Sequence, residues 1–430
     1  MAHFGLLCPP ATSHVTGLSS VGRALISRGH RATLFNILDV EKLAKSEGLE
    51  FVPLGIEKHP LGSFRAFSEK IAQLKGIQAL RFGLRPALAE IEMLLTEAPD
   101  ALRAANVDVL LCDQGQPTGS TIAELLGIPF LTICNASPAN REPCVPPTIT
   151  HWMYGCSFRA KLRNELAYEL FSILVTPLRR KINVFRSEHG LAPIRSLDDT
   201  FSPLAQISQQ SREFDFPHHG LPAHFHHIGL FHRPGSSNTS FPYERLNGKP
   251  LVFASFGTIL CDKPEIFEML AQACHELDTQ LVITLGGRGR IEQYQCLPGN
   301  PIVVNYAPQL EVLKHTSLTV CHAGTNTVLE SLQAGVPVVT VPVWADQPGV
   351  AARLVYSGAG ERLMLGQLSC DRFREVCGKV LREPKYRQRA LAIGESIRNA
   401  GGEERAADII ENCLQSTDSI ISTARTAPPA

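Results

Sequence analysis

Two series of short apolar runs alternating with helix-spaced segments, parted by a single stretch rich in Pro, Gly, Ser and Asn, constrain the fold of this chain most. In the first series HFGLLC (3–8) is followed by the helix-spaced VTGLSSVGRALISRGH (15–30), where Gly29 acts as a stop, and then by RATLFN (31–36). A strand, a helix and a strand in that order form a βαβ unit, and such units build parallel sheets. The pattern returns as VDVLLCD (107–113), STIAELLG (120–127) and FLTICN (130–135), with residues 61–105 between them reading as a mostly helical insertion. FHRPGSSNTSFPYERLNGKP (231–250) has the composition of a linker. The second series follows as LVFASFG (251–257), EIFEMLAQACHEL (265–277), LVITLGG (281–287), IVVNYAP (302–308), LTVCHAG (318–324), NTVLESLQAG (326–335) and VPVVTVP (336–342). The expected fold is two Rossmann-like parallel-sheet α/β domains facing a cleft. Residues 1–232 form the first domain, 233–250 the linker and 251–413 the second, whose last helix packs back on the first. Residues 414–430 are expected to be a tail without structure.

Composition narrows the partners. A chain of 430 residues exceeds one ordinary core and suits two. Its 41 basic and 41 acidic residues balance, so nothing draws it to nucleic acid, and a small neutral or anionic ligand is expected instead. MAHFGLLCPPATSHV lacks a basic leader and carries Pro9 and Pro10 in its apolar run, and no window reaches the roughly 18 apolar residues of a membrane span. Twelve cysteines without a CxxC pair suggest neither a zinc module nor a disulfide framework. These features read as a reduced, cytoplasmic protein with at most peripheral membrane contact.

The segment CHAGTNTVLESLQAGVPVVTVPVWADQPGVAARL (321–354) interrupts an apolar strand–helix–strand frame with His322, Asn326, Thr327, Glu330, Asp346 and Gln347. A strand that ends at LTVCHAG and opens into a helix points free backbone N–H groups beyond the strand. Gly324 allows close approach there, and Asn326 and Thr327 add short donors, so this is a phosphate site, with His322 as a further donor. Glu330, at i+4 from Asn326, is placed to accept from a ribose diol. Asp346 and Gln347, after the next strand, are placed for sugar hydroxyls. Phosphate, ribose and hexose in that order describe a nucleotide-sugar.

YAPQLEVL (306–313), CHAGTNTVLESLQAGVP (321–337) and WADQPGVAARL (344–354) resemble the donor-binding signature of family-1 glycosyltransferases, the UDP-glycosyltransferases of GT-B fold. SFGT (255–258) sits at that family's first C-domain donor loop, and residues 9–30 resemble its N-terminal strand–loop–helix. The wording is closest to bacterial zeaxanthin-glucosylating and macrolide-type members, over nearly the whole chain to about Cys413. The resemblance implies that Tyr306 stacks on uracil and Gln309 helps bind the base. It places Ser255, Gly257 and Thr258 at the donor loop, His322, Gly324, Asn326 and Thr327 at the diphosphate, Glu330 at the ribose, and Asp346 and Gln347 at the hexose. Plant members usually carry Trp where this chain has Tyr306 and Thr325. Tyrosine still stacks on a base, whereas Thr325 removes a sugar contact and leaves the sugar less defined than the nucleotide.

Transfer to a hydroxyl needs a base, and His14 is the candidate. It is expected just before a helix beginning near Val15, whose positive end would keep the imidazole neutral. Asp113 ends VDVLLCD at the same cleft edge and matches the family's acidic partner of the catalytic histidine; a helix N-cap is the lesser alternative. The mechanism implied is an inverting in-line displacement, with the helix dipole and donors meeting the phosphate charge, so neither a metal nor another cofactor beyond the UDP-sugar is called for.

LGGRGR (285–290) is not the glycine fingerprint of a nicotinamide enzyme, because it does not follow the first strand. Glu213 and Asp215 in EFDFP lack the partners of an acidic metal pair, and His218, His219, His224, His226 and His227 fit a strand and turn approaching the linker better than a zinc site. A GT-B epimerase and a non-catalytic partner protein are the alternatives. Phe64, Phe67, Ile71, Leu74, Ile77, Leu80 and Phe82, with Trp152, Met153, Tyr154 and Phe158, form either core packing or an apolar acceptor pocket suited to a carotenoid, polyketide or phenolic hydroxyl.

Overall fold

In the computed structural model the chain forms two parallel sheets. The structure describes residues 1–72, 76–231, 240–257, 263–287, 290–294 and 296–426, with side chains described for all of these except 72, 76, 77, 79–81 and 416–426. Of the expectations above, those on Leu74, on the side chains of Ile77 and Leu80, on Thr258 and on residues 233–239 of the linker lie outside the described residues.

The first sheet contains β1 (His3–Leu7), β2 (Arg31–Asn36), β3 (Glu50–Pro53), β4 (Val109–Asp113), β5 (Phe130–Cys134), β6 (Gln206–Ser208) and β7 (Phe225–His227) in the order β3-β2-β1-β4-β5-β6-β7. The second contains β8 (Leu251–Ser255), β9 (Gln280–Thr284), β10 (Ile302–Val304), β11 (Thr316–Cys321), β12 (Val338–Thr340) and β13 (Gly360–Arg362) in the order β10-β9-β8-β11-β12-β13. Each order reverses direction once, between β1 and β4 and between β8 and β11. At such a reversal the connecting segments leave on opposite faces and open a crevice at the strands' carboxyl ends. Leu7 pairs with Cys112 and Cys321 with Ser255, so the residues just beyond these pairs line the two crevices. Those residues are the turn to His14, Asp113, Gly257 and His322.

Both faces of the first sheet are covered, which is why its strands read as continuous apolar runs. Phe4, Leu6, Leu34, Val109 and Leu111 pack under the helix Thr12–Ser27 and under Ala406, Ala407, Ile409 and Ile410 of the last helix, Gly402–Thr426. Leu7, Leu110 and Cys112 pack on the other side against Ile91, Leu94, Ala98 and Leu102 of the helix Gly76–Ala104. The last helix thus crosses from the second sheet back to the first, and Arg28 ties it there through Glu404, Asp408 and Glu411 at 2.8 Å each. The helix Gly402–Thr426 runs past 414, and Cys413 and Leu414 pack against the first core.

One cysteine expectation is corrected: Cys144 and Cys156 form a disulfide, with Cα atoms 4.7 Å apart. They stand 12 positions apart, a spacing that carries no motif, and only the fold of the 143–156 loop brings them together.

Candidate active site between the two sheets

His14 lies in the first turn of the helix that starts at Thr12, three residues earlier than an onset near Val15. Its Nδ1 donates to Asp113 Oδ2 at 2.8 Å. Asp113 is buried at the end of β4 and accepts twice more, from Gly115 N at Oδ1 (2.7 Å) and from Asn135 Nδ2 at Oδ2 (2.7 Å). It therefore closes its own turn rather than capping the next helix, which starts at Gly119 after Thr118. With Nδ1 engaged, Nε2 is the nitrogen left to take a proton.

The electrostatics differ from a histidine kept neutral by a helix end. Burial pulls the His14 pKa down, but the Asp113 carboxylate, by its field and its hydrogen bond, and then Asp346 more than offset this and raise it above the ordinary imidazole value. A base must be unprotonated, so kcat/KM is expected to fall as pH drops through a value above that of free imidazole. In Asp113→Asn the acid limb should move to lower pH as the overall rate falls, which a pH–rate profile of both proteins reads directly. An unmoved limb would mean that the dyad does not set the titration.

Opposite lies the segment 321–354. Ala323 and Ala345 stand at φ +65° and +55°, in the left-handed region that costs an L-residue about 1–2 kcal/mol. Each sits in a turn directly before candidate ligand-binding residues, where such strain is held by surrounding structure. The His322 ring is wedged between two glycines: a Cβ on Gly257 would meet it at 2.9 Å and one on Gly324 at 2.8 Å. Burial pushes the His322 pKa down to about 4, so the ring is neutral, and its Nδ1 faces Ser255 O at 3.4 Å. In that tautomer Nε2 carries no proton. Donation from Nε2 to a phosphate therefore requires a second proton or the other tautomer, and a nearby diphosphate favours the former.

Thr325, Asn326 and Thr327 open the helix Thr325–Gln333. The Thr325 hydroxyl donates to Asp346 Oδ2 at 3.2 Å, so the residue standing for the family's tryptophan positions an expected hexose ligand. Glu330 is buried and accepts from Gln309 Nε2, which joins the expected ribose and base contacts. Tyr306 is 61% exposed, and its hydroxyl lies over Gly287, leaving the ring open to stacking. Gln347 Oε1 accepts from Val343 N at 2.9 Å and Trp344 N at 3.2 Å, so only its amide NH2 remains for a ligand. Ser255 and Gly257 lie at the end of β8, as expected, while Thr258 is outside the described residues.

Sequence reasoning missed the residues that join the two sides. Gln209, just past β6, donates from Nε2 to Asn326 Oδ1 at 2.9 Å and to Asn135 O. Asn135 in turn holds Asp113, so one polar chain runs from the dyad to the start of the helix at Thr325. Gly17 leaves room for it, since a Cβ there would meet Asn135 Oδ1 at 2.2 Å. Neither Asn135 nor Gln209 belongs to a motif; the only hint is a polar residue closing a short apolar run.

The decoys resolve into structure. Asp215 pairs with Arg353 Nε at 2.6 Å and with His218 Nε2 at 3.2 Å, while His218 Nδ1 faces Glu142 at 2.9 Å. Arg353 and His218 hold the Asp215 carboxyl well below its usual range despite burial. His226 and His227 end β7, Glu213 accepts from Ser396, and no group of side chains among the described residues is arranged to hold a metal ion. Met153 and Tyr154 pack against Val145, Phe216 and Ala352 between the two sheets, whereas Phe67 and Phe82 stack at 5.7 Å on the helical insertion.

The family model for UDP-glucoronosyl and UDP-glucosyl transferases matches residues 87–398. The chain belongs to the UDP-glycosyltransferase family. Among this family's curated members, a zeaxanthin glucosyltransferase of Pantoea ananas is 35% identical over 98% of this chain and 98% of its own. Another, from Pseudescherichia vulneris, is 32% identical over 98% of this chain and all of its own. A solved glycosyltransferase of kitacinnamycin shares the GT-B fold at TM-score 0.74 and 23% identity, covering 96% of this chain and 98% of its own. The calicheamicin glycosyltransferase CalG4 does so at 0.73 and 21%, covering 97% and 99%. The chain is thus a glycosyltransferase with a nucleotide-sugar donor and an acceptor, built on two parallel-sheet domains. Among its described residues no helix is long and apolar enough to cross a membrane.

Proposed function

We propose that this glycosyltransferase moves a hexose, glucose in the first instance, from a UDP-sugar to a hydroxyl of a lipophilic acceptor, with inversion at the anomeric carbon. The observation that carries the reading is the His14–Asp113 pair at 2.8 Å, close enough to Asp346 for each to shift the other's titration. His14 Nε2 takes the acceptor's proton as its oxygen forms a bond to the anomeric carbon. The bond to UDP breaks on the opposite face and UDP leaves with the electron pair. Asp113 stabilises the imidazolium that results. The N-terminus of the helix Thr325–Gln333 and its short donors meet the developing diphosphate charge, so the reading needs no metal. A xanthophyll hydroxyl is the acceptor class favoured by the two relatives named as zeaxanthin glucosyltransferases.

The test is incubation with UDP-glucose and a xanthophyll or a polyphenol in mild detergent, following UDP release and the product's anomeric configuration. Release without acceptor, or product only from free sugars, would sink the reading. The donor assignment separates in calorimetric titrations. Glu330→Ala is expected to weaken UDP and UDP-glucose alike, whereas Asp346→Ala should weaken UDP-glucose by about tenfold and spare UDP, each lost charge-assisted bond being worth roughly 1.5–3 kcal/mol. Equal losses on both ligands from Asp346→Ala would place its carboxylate away from the hexose.

A further inference from the structure

The helix Phe158–Leu174 is turned the wrong way round for a water-soluble surface. Phe158, Leu162, Leu166, Leu170, Ile173 and Leu174 recur every three or four residues, share one side, and are 80, 48, 62, 59, 66 and 39% exposed. The side facing the protein carries Asn164 and Tyr168 among Ala160, Ala167 and Phe171, and no leucine. Asn164 is fully buried and donates to Pro143 O at 2.9 Å, and the Tyr168 hydroxyl donates to Val145 O at 3.0 Å. Surface helices bury their leucines and show their amides to water; this one does the reverse over four turns. An apolar stripe of that length on an exposed helix marks an interaction surface.

Charge decides what covers it. The helix's two distal acids, Glu165 and Glu169, are met by Arg141, the second at 2.8 Å. Arg159 and Lys161 are exposed at its start and make no ion pair among the described residues. Arg163 lies over the Trp152 ring at 4.6 Å. The stripe is thus flanked by cations that the helix's own acids do not neutralise. A second copy of this helix offers these cations only Glu165 and Glu169, which Arg141 already meets, whereas lipid phosphates would pair with them.

We propose that the helix Phe158–Leu174 docks the protein on the surface of an anionic phospholipid bilayer. Its leucines enter the boundary between headgroups and acyl chains, and Arg159 and Lys161 pair with lipid phosphates. The loop leading into the helix reaches the donor half, since Gly349 N donates to Thr148 O at 2.9 Å, two residues beyond Gln347. Asn164 and Tyr168 bond this same loop, so the helix is joined to the cleft's edge, and an acceptor dissolved in the bilayer would have a short path to it. That consequence rests on the lipophilic-acceptor reading; the docking itself does not.

The experiment is flotation of the full chain with vesicles of phosphatidylcholine alone or mixed with phosphatidylglycerol, without acceptor, at low and raised salt. The parent is expected to float with the mixed vesicles, less so at raised salt. Leu166→Glu/Leu170→Glu and Arg159→Glu/Lys161→Glu should each reduce the bound fraction about tenfold or more. UDP binding, unchanged in both variants, shows that they fold. Equal flotation with phosphatidylcholine alone, or parent-like flotation of the leucine variant, would overturn the proposal. So would a parent that ignores vesicles but sediments as a dimer that the leucine variant breaks, which makes the face an interface between copies. Docking without transfer to a xanthophyll would count against the acceptor reading alone.

Discussion

Replacing His14 by alanine is expected to lower kcat/KM for glycosyl transfer by about 10²- to 10⁴-fold, the usual contribution of a positioned general base. The Nδ1 bond to buried Asp113 fixes the ring's tautomer and orientation, so the loss removes both the proton acceptor and a pre-set geometry. His14 belongs to the first half of the chain, whereas the residues assigned to UDP belong to the second, so UDP affinity should stay within about twofold, measured by calorimetry. Asp113→Asn keeps the shape but not the charge, and its rate should fall between parent and His14→Ala. Parent-like turnover in His14→Ala would reduce the dyad to a structural hydrogen bond. A matching loss of UDP binding would show that the variant had disturbed the fold.

The largest effect on stability is expected at Asp215→Ala, at about 3–5 kcal/mol, because it strands a guanidinium without solvent. Arg353 is 0% exposed, stacks on Phe216 at 4.6 Å and has Asp215 as its sole carboxylate partner among the described residues. Its Nη2 has no hydrogen-bond partner there, and its Nη1 has only the neutral Gly349 O at 3.4 Å, so no second carboxylate is paired with it to take over the charge. His218 would lose one of its two carboxylates as well. Asp215→Leu/Arg353→Met, which removes both charges, should recover most of the loss, since an apolar pair of similar volume carries no desolvation penalty. Denaturant unfolding of the three proteins decides the matter. A single variant within about 0.5 kcal/mol of the parent would mean that water reaches the pair. Asp215 belongs to the first half and Arg353 to the helix Gln347–Ser357 of the second, so the single variant should also raise KM for the UDP-sugar.

The sequence by itself determined the parts whose signal is local. Strands such as β2 and β8 are long enough, and buried on both faces, to read as apolar runs. The turns after β8, β11 and β12 carry their chemistry in contiguous residues, so His322, Asn326, Glu330, Asp346 and Gln347 could be placed before any fold was known. The strands β3, β6 and β13 escaped because EFVP, QIS and GER mix polar residues into short segments, whereas the equally short β10 and β12, IVV and VVT, lie in apolar runs. Only the tertiary structure decided what depends on distance between remote segments. It raised the His14 pKa, through the Asp113 partner that the resemblance had implied, where a helix end alone would have lowered it. It linked Asn135 and Gln209 to Asn326, paired Cys144 with Cys156, and turned the leucines of Phe158–Leu174 outward. Each of these is set by which strands neighbour one another and which helix face meets the sheet, and a linear pattern holds no record of either.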